Sequence, residues 1–270
     1  MRTTVLDCPV DILTLDETID AAVLAMRERT PVQHVALNVA KLVSARSNPE
    51  LDRDVRQAEL IGIDGAGIAL ALKMFGHGNV PRVAGIDLFE SLMEVCARSG
   101  YRPFLLGATQ DILVEARKRI ETRHPGLVFA GMHNGYFKGR EQEIVEAIKA
   151  AKPDCLFLAM PTPMKERFMA TYRAELKVPF VMGIGGTLDV TAGFVDRAPL
   201  GWQKMGLEWL YRLIQEPRRM WKRYLVTNSI FAGLLATELA RRAVGRSKPA
   251  SFSPPSSALT HGTVDQTNRR

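Results

Sequence analysis

Ile61-Gly62-Ile63-Asp64-Gly65-Ala66-Gly67-Ile68, a helical run, and then Arg82-Val83-Ala84-Gly85-Ile86-Asp87-Leu88 together decide how this chain reads. An apolar run (Leu60, Ile61, Ile63) stops at Asp64, where glycines begin. Leu70, Met74 and Phe75 then space a short amphipathic helix. The order is strand, tight turn and helix, with one carboxylate at the strand's C-terminal edge. In open α/β sheets, ligands bind outside those edges. Gly65 and Gly67 carry no Cβ and let backbone approach a ligand closely. The competing reading makes Asp64 a cap for the helix that follows. This stretch alone leaves both open.

Outward from it, strand and helix patterns alternate. Upstream, residues 3–14 read as a strand or hairpin and 15–29 as a helix. Residues 34–37 read as a strand, Asn38 opens a helix through Leu42 and Val43, and Pro49 starts another. Downstream, Leu88, Leu92, Val95 and Cys96 mark a helix. Strands follow at 102–107, 127–130, 154–160 and 178–182, separated by helices at 110–123, 139–151 and 163–176. The strand at 154–160 has no polar alternation, so both its faces are buried. This spacing implies βαβ units and a largely parallel sheet flanked by helices.

The 270 residues are 46% hydrophobic and 24% charged, as in a soluble globular protein. Cys8, Cys96 and Cys155 are far apart and suggest a reduced, cytoplasmic setting. The N-terminus has no long apolar segment of the signal-peptide kind, and no uncharged apolar stretch reaches the ~20 residues that span a bilayer. The net charge of +7 is uneven: residues 197–248 hold 11 Lys/Arg and three acids, against 23 and 25 in residues 1–196. The reading is an α/β domain over 1–196, a basic amphipathic helical appendage over 197–248, and a disordered Pro/Ser/Thr-rich tail over 249–270. A basic module points to an anionic partner.

Past the last strand, Gly183-Ile184-Gly185-Gly186-Thr187 has the small residues of a phosphate-cradling loop. Dinucleotide binders carry their glycine fingerprint after the first strand, which argues against a nicotinamide dehydrogenase. Asp52 and Asp54 have the spacing of a chelating pair but read as a solvated helix face beside Arg53 and Arg56. His34, His77, His124 and His133 show no ligand spacing, so no metal is expected. No Gly-x-Ser-x-Gly elbow supports a serine hydrolase. Residues 202–214 read as one helix, and Pro217 opens another that runs toward Val244. In that helix, Trp221, Tyr224, Leu225, Ile230 and Phe231 are flanked by Arg218-Arg219, Lys222-Arg223 and Arg241-Arg242. Aromatics and cations around an apolar run suit an anionic membrane surface. Packing on the sheet, or on a second subunit in a homo-oligomer, stays open. The helix has no recognised nucleic-acid reading motif, so no nucleic-acid partner is expected.

Taken together, these stretches resemble the WecG/TagA/CpsF glycosyltransferase family, from about residue 3 to residue 225. The most specific blocks are Gly-Gly-Thr-Leu-Asp-Val-Thr-Ala-Gly-Phe-Val-Asp-Arg-Ala-Pro (185–199) and Gly-Leu-Glu-Trp-Leu-Tyr-Arg-Leu-Ile-Gln-Glu-Pro-Arg-Arg (206–219). Further matches are Asp64-Gly65-x-Gly67, Arg82-Val83-x-Gly85-x-Asp87-Leu88, Phe104-Leu105-Leu106-Gly107, His133-x-Gly135-Tyr136-Phe137 and Pro163-x-Lys165-Glu166. The resemblance implies a Rossmann-like α/β fold with a membrane-contacting appendage. It implies inverting, metal-independent transfer from a UDP-sugar to a polyprenyl-diphosphate-linked glycan acceptor, on the cytoplasmic face of the inner membrane. Asp64 matches the family's catalytic aspartate, and Arg82 the position that meets the leaving diphosphate. Arg212, Arg218 and Arg219 would close over the site, and Gly185, Gly186 and Asp189 would meet the uridine nucleotide. Asn38, Gly65, Gly67, Asp87, Gly107, Tyr136, Lys165 and Glu166 carry over as substrate-binding positions.

The chain also departs from the pattern. Ala36 stands where the family has Thr, Ala40 near where it has Glu, and Lys165 where it has Gln. These positions would read sugar or acceptor. They open the donor to a plain hexose such as glucose in exopolysaccharide synthesis, beside the N-acetylmannosamine (or its uronate) of teichoic acid and common antigen. They also leave a non-catalytic membrane-bound scaffold of the same fold as an alternative.

Overall fold

The computed structural model describes residues 1–245, apart from the Arg219 side chain; the expected disordered tail, 249–270, lies outside the described residues. The strands are β1 (Arg2–Val5), β2 (Cys8–Asp11), β3 (Val32–Leu37), β4 (Leu60–Ile63), β5 (Pro103–Gly107), β6 (Gly131–His133), β7 (Cys155–Ala159) and β8 (Phe180–Gly183). They form one sheet in the order β1-β2-β4-β3-β8-β7-β5-β6. β1 and β2 make an antiparallel hairpin, and all other neighbours run parallel. The helices are α1 (Leu15–Glu28), α2 (Val39–Ser47), α3 (Pro49–Arg56), α4 (Ala66–Leu72), α5 (Gly85–Ser99), α6 (Gln110–Arg123), α7 (Glu141–Ala151), α8 (Met164–Leu176), α9 (Thr187–Thr191), α10 (Leu200–Lys204), α11 (Glu208–Gln215) and α12 (Pro217–Ala243). The fold is the expected Rossmann-like α/β sandwich of helices on a mostly parallel sheet.

Strand side chains alternate between two cores. Leu156 and Leu158 of β7 face one core, which α2, α3, α4, α7 and α8 cover and Phe231 of α12 enters. Cys155, Phe157 and Ala159 face the other, covered by α1, α5, α6 and α9. Burying each such Leu or Phe is worth roughly 1.5–3 kcal/mol. Helix starts follow their capping residues. Thr14 and Glu17 form a capping box on α1, and Asn48 caps α3 ahead of Pro49. All three cysteines are free and buried.

Four expectations are corrected. The strand expected at 127–130 lies at Gly131–His133, because β5 pairs there and the Phe104 ring occupies the space a Cβ on Gly131 would need. The stretch 202–214 is two helices rather than one. Gly206 breaks it at φ 71, and a Cβ on it would lie 2.5 Å from the Ala66 Cβ. On α4 the buried face is Ile68, Ala71 and Leu72, while Leu70 is exposed, as is Met74 in the single π-helical turn, Lys73–His77, that continues it. Asp54 is not solvated: it is buried and paired with Arg167 at 2.9 Å, leaving Asp52 outside with Arg56. Among the described residues no helix is long and apolar enough to cross a membrane.

Candidate active site

Asp64 follows β4 at the C-terminal edge of the sheet. It does not cap α4, whose first turn has no side-chain cap. Its Oδ1 instead accepts the Gly85 N–H at 3.0 Å, at the start of α5. Its Oδ2 accepts from Asn38 Nδ2 at 3.4 Å. Asn38 sits at the edge of the neighbouring β3, and its Oδ1 accepts the Lys41 N–H at 3.0 Å, capping α2. With that oxygen engaged, the Asn38 amide can only present its NH₂ to Asp64. Two elements thus hold the carboxylate, and it keeps further lone pairs for an incoming proton.

Gly65 and Gly67 have a packing reason. A Cβ on Gly65 would come 3.0 Å from the Asn38 Cβ, and one on Gly67 would come 2.5 Å from Val39 Cγ2 and 3.6 Å from the Phe231 ring. Their absent side chains let α4 sit close to α2 and α12.

The C-terminal helices bring cations over this edge. The Arg212 guanidinium of α11 lies on the glycine loop; a Cβ on Gly186 would be 2.8 Å from its Nη2. Gly185 takes φ 53, which glycine tolerates. Asp189, in the short α9, turns the chain by accepting the Phe194 and Val195 N–H groups on its carbonyl. From α12, Tyr224 comes within electrostatic reach of Asp64, Arg212 and Arg223. Burial pushes the Tyr224 phenol up, so it stays protonated.

Behind the loop, Lys41, Lys165 and Glu166 are all buried. Glu166 Oε1 pairs with Lys41 at 2.8 Å and Lys165 at 3.1 Å. Burial pushes the Glu166 carboxyl up, but Lys41 and then Lys165 outweigh it and hold it at about 2. Burial, then the Lys41 charge, pulls the Lys165 ammonium down to about 8 against Glu166.

Other expected site residues are engaged elsewhere or lie apart. Arg82 is ion-paired with Glu208 of α11 and donates to the Gln203 carbonyl at 3.3 Å, tying the C-terminal helices to the loop before α5. Asp87 pairs with Arg197 at 2.6 Å. Arg218 is exposed on α12, and the Arg219 side chain lies outside the described residues. Gly107 ends β5 and packs against Gly135, with Tyr136 exposed beyond. β4 and β5 are four strand positions apart, so this pair sits roughly 20 Å from Asp64 along the edge.

A cleft of about 600 Å³ between α5, α6 and α9 is lined by Glu90, Lys118, Arg119, Arg123, Thr191 and Arg197, among others. Neither Asp64 nor its partners line it. Its arginines are paired, Arg123 with Glu90, Arg119 with Glu115 and Arg197 with Asp87. Among the described residues, no group of three or more His, Cys, Asp or Glu side chains is placed to hold a metal. His34 is buried in β3, and burial lowers its pKa to about 4.

Sequence reasoning missed Lys41, Arg223, Tyr224 and Glu208. Arg223 and Tyr224 carried a signal, as part of the aromatic and basic pattern of the last helix, but that pattern pointed to a membrane rather than to the site.

A lone carboxylate at the edge of a parallel sheet, under basic helices, is a layout for base-assisted chemistry on an anionic donor. Residues 3–245 match the model of the Glycosyl transferase WecG/TagA/CpsF family. The chain belongs to this family and is a glycosyltransferase. It is similar to the N-acetylglucosaminyldiphosphoundecaprenol N-acetyl-beta-D-mannosaminyltransferase of Bacillus spizizenii strain W23, with 34% identity over 196 residues, 73% of this chain and 76% of that relative.

Proposed function

We propose that the protein transfers a sugar from a UDP-sugar to a polyprenyl-diphosphate-linked N-acetylglucosamine, with inversion and without a metal, at the cytoplasmic face of the membrane. The observation that carries this reading is Asp64, held by Gly85 and Asn38 at the sheet edge, with Tyr224 in electrostatic reach of it and Arg212 against Gly186 of the glycine loop. In the transfer step the acceptor hydroxyl oxygen attacks the anomeric carbon. Its proton passes to Asp64. The bond from that carbon to the diphosphate breaks on the opposite face, and UDP leaves with the electron pair. A positioned base contributes roughly 10²–10⁴-fold. Fixed cations that meet the charge developing on the diphosphate add to this. The closeness of the Arg212 guanidinium to Gly186 of the glycine loop supports giving it that role.

The relative's name supports the acceptor and makes N-acetylmannosamine the first candidate donor. A plain hexose in exopolysaccharide synthesis is the second, because Ala36 stands where the resembled family carries a threonine. The acceptor's lipid places the work at a bilayer. Trp221, Leu225 and Ile230 are exposed on α12, with Arg218 and Lys222 exposed beside them. Each such cation near an anionic leaflet is worth about 1 kcal/mol.

One assay tests this. Purified protein is added to vesicles carrying polyprenyl-diphosphate N-acetylglucosamine, with a panel of UDP-sugars and EDTA present. Acceptor-dependent product is expected from one donor, and the rate is expected to fall several-fold when anionic lipid is omitted, on the order of one or two surface cations' worth. No product from any UDP-sugar would overturn the function. Product only after Mn²⁺ is restored would overturn the metal-free step.

A further inference from the structure

The buried Lys41–Glu166–Lys165 cluster takes no part in the transfer step above. Its charge does not balance. One carboxylate serves two ammoniums through the same oxygen, and Glu166 Oε2 is buried without a hydrogen-bond partner among the described residues. Arg223 of α12 adds a further positive field at Lys165. A buried uncompensated charge is costly unless something pairs with it.

The position of the excess charge is specific. The Lys165 stem crosses the end of β8: a Cβ on Gly183 would lie 2.8 Å from Lys165 Cδ. Its Nζ donates to Thr162 Oγ1 at 2.6 Å. Gly183 opens the glycine loop, and Arg212 lies on that loop from the other side. Lys41 is tied down separately, donating to the Ala36 carbonyl at 2.7 Å. Lys165 is therefore the cluster's member beside the loop, and Lys41 and Glu166 hold it there.

We propose that the Lys165 ammonium receives the diphosphate of the nucleotide donor at the glycine loop, with Lys41 and Glu166 as positioning residues. This rests on the UDP-sugar reading above. The groups facing Lys165 are Lys41 from α2, Glu166 and Thr162 beside it, and Arg223 from α12. Burial, then the Lys41 charge, brings the Lys165 ammonium down to about 8. A bound diphosphate favours the charged form. Nucleotide affinity is therefore full below that pH and falls as pH rises through it.

The test is calorimetric titration of UDP and of uridine into the full chain at pH 7 and pH 9, for wild type and Lys165→Gln. Wild type is expected to bind UDP up to about tenfold more weakly at pH 9, one proton's worth over that unit. Lys165→Gln is expected to bind UDP roughly ten- to a hundredfold more weakly at pH 7, with no pH dependence, and uridine unchanged. Lys165→Arg is expected to keep its UDP affinity at pH 9. Binding of UDP by Lys165→Gln with the affinity and pH profile of wild type would overturn the proposal and leave the function standing. Wild type that binds no UDP would overturn it together with the nucleotide donor. Should Lys165→Gln fail to fold, a flat wild-type profile between pH 7 and 9 still refutes it.

Discussion

Replacing Asp64 by Asn is expected to lower turnover by roughly 10²–10⁴-fold. UDP affinity is expected to stay within about threefold of wild type, because the lost interaction belongs to the transition state. The substitution keeps the shape of the side chain and an oxygen to accept the Gly85 N–H, so the start of α5 stays anchored. What it removes is the capacity to take a proton from the acceptor hydroxyl. Steady-state transfer and a UDP titration on the same preparation separate the two effects. Equal losses in turnover and UDP affinity would make Asp64 an anchor for α5 rather than the base.

The second large effect concerns stability. Glu166→Gln leaves Lys41 and Lys165 buried without their shared counterion. Breaking one side of a buried ion cluster costs about 3–5 kcal/mol. Urea unfolding is expected to show this as a lower midpoint at unchanged slope. Adding Lys41→Met is expected to recover part of the loss, since it removes one of the stranded charges. The pH dependence has a definite sign. Glu166 is held at about 2, below its ordinary 4.5. Its contribution is complete above 4.5 and fades as pH falls toward 2. Wild type should lose that contribution over this window and the Gln variant should not. A variant as stable as wild type would mean the cluster is not a structural support for the site.

Much of the fold was written in local pattern. The unbroken apolar run of β7, the capping residues of α1 and α3 and the apolar-to-glycine switch at Asp64 each report a neighbouring backbone constraint. The edge strand was misplaced because its position depends on Phe104 meeting Gly131, a contact between strands. The break at Gly206 depends on Ala66, which is far away in sequence. The site was legible in the same uneven way. Asp64, Asn38 and the glycine loop show as strand-edge residues. That Arg82 is paired with Glu208, 126 positions on, is not visible in either segment. Nor is the convergence of Lys41, Lys165 and Arg223, which come from three helices. Tyr224 shows the limit most plainly: its helix pattern suited a membrane, and the fold packs its ring on Trp209 within electrostatic reach of Asp64.

The mechanism makes one stereochemical demand. A single displacement assisted by Asp64 must exchange the face of the anomeric carbon. The anomeric configuration of the lipid-linked product, read by NMR after transfer from an α-linked UDP-sugar, therefore tests it most directly. The account predicts a β linkage. An α-linked product would contradict it, since retention excludes a single opposite-face displacement with Asp64 as its base.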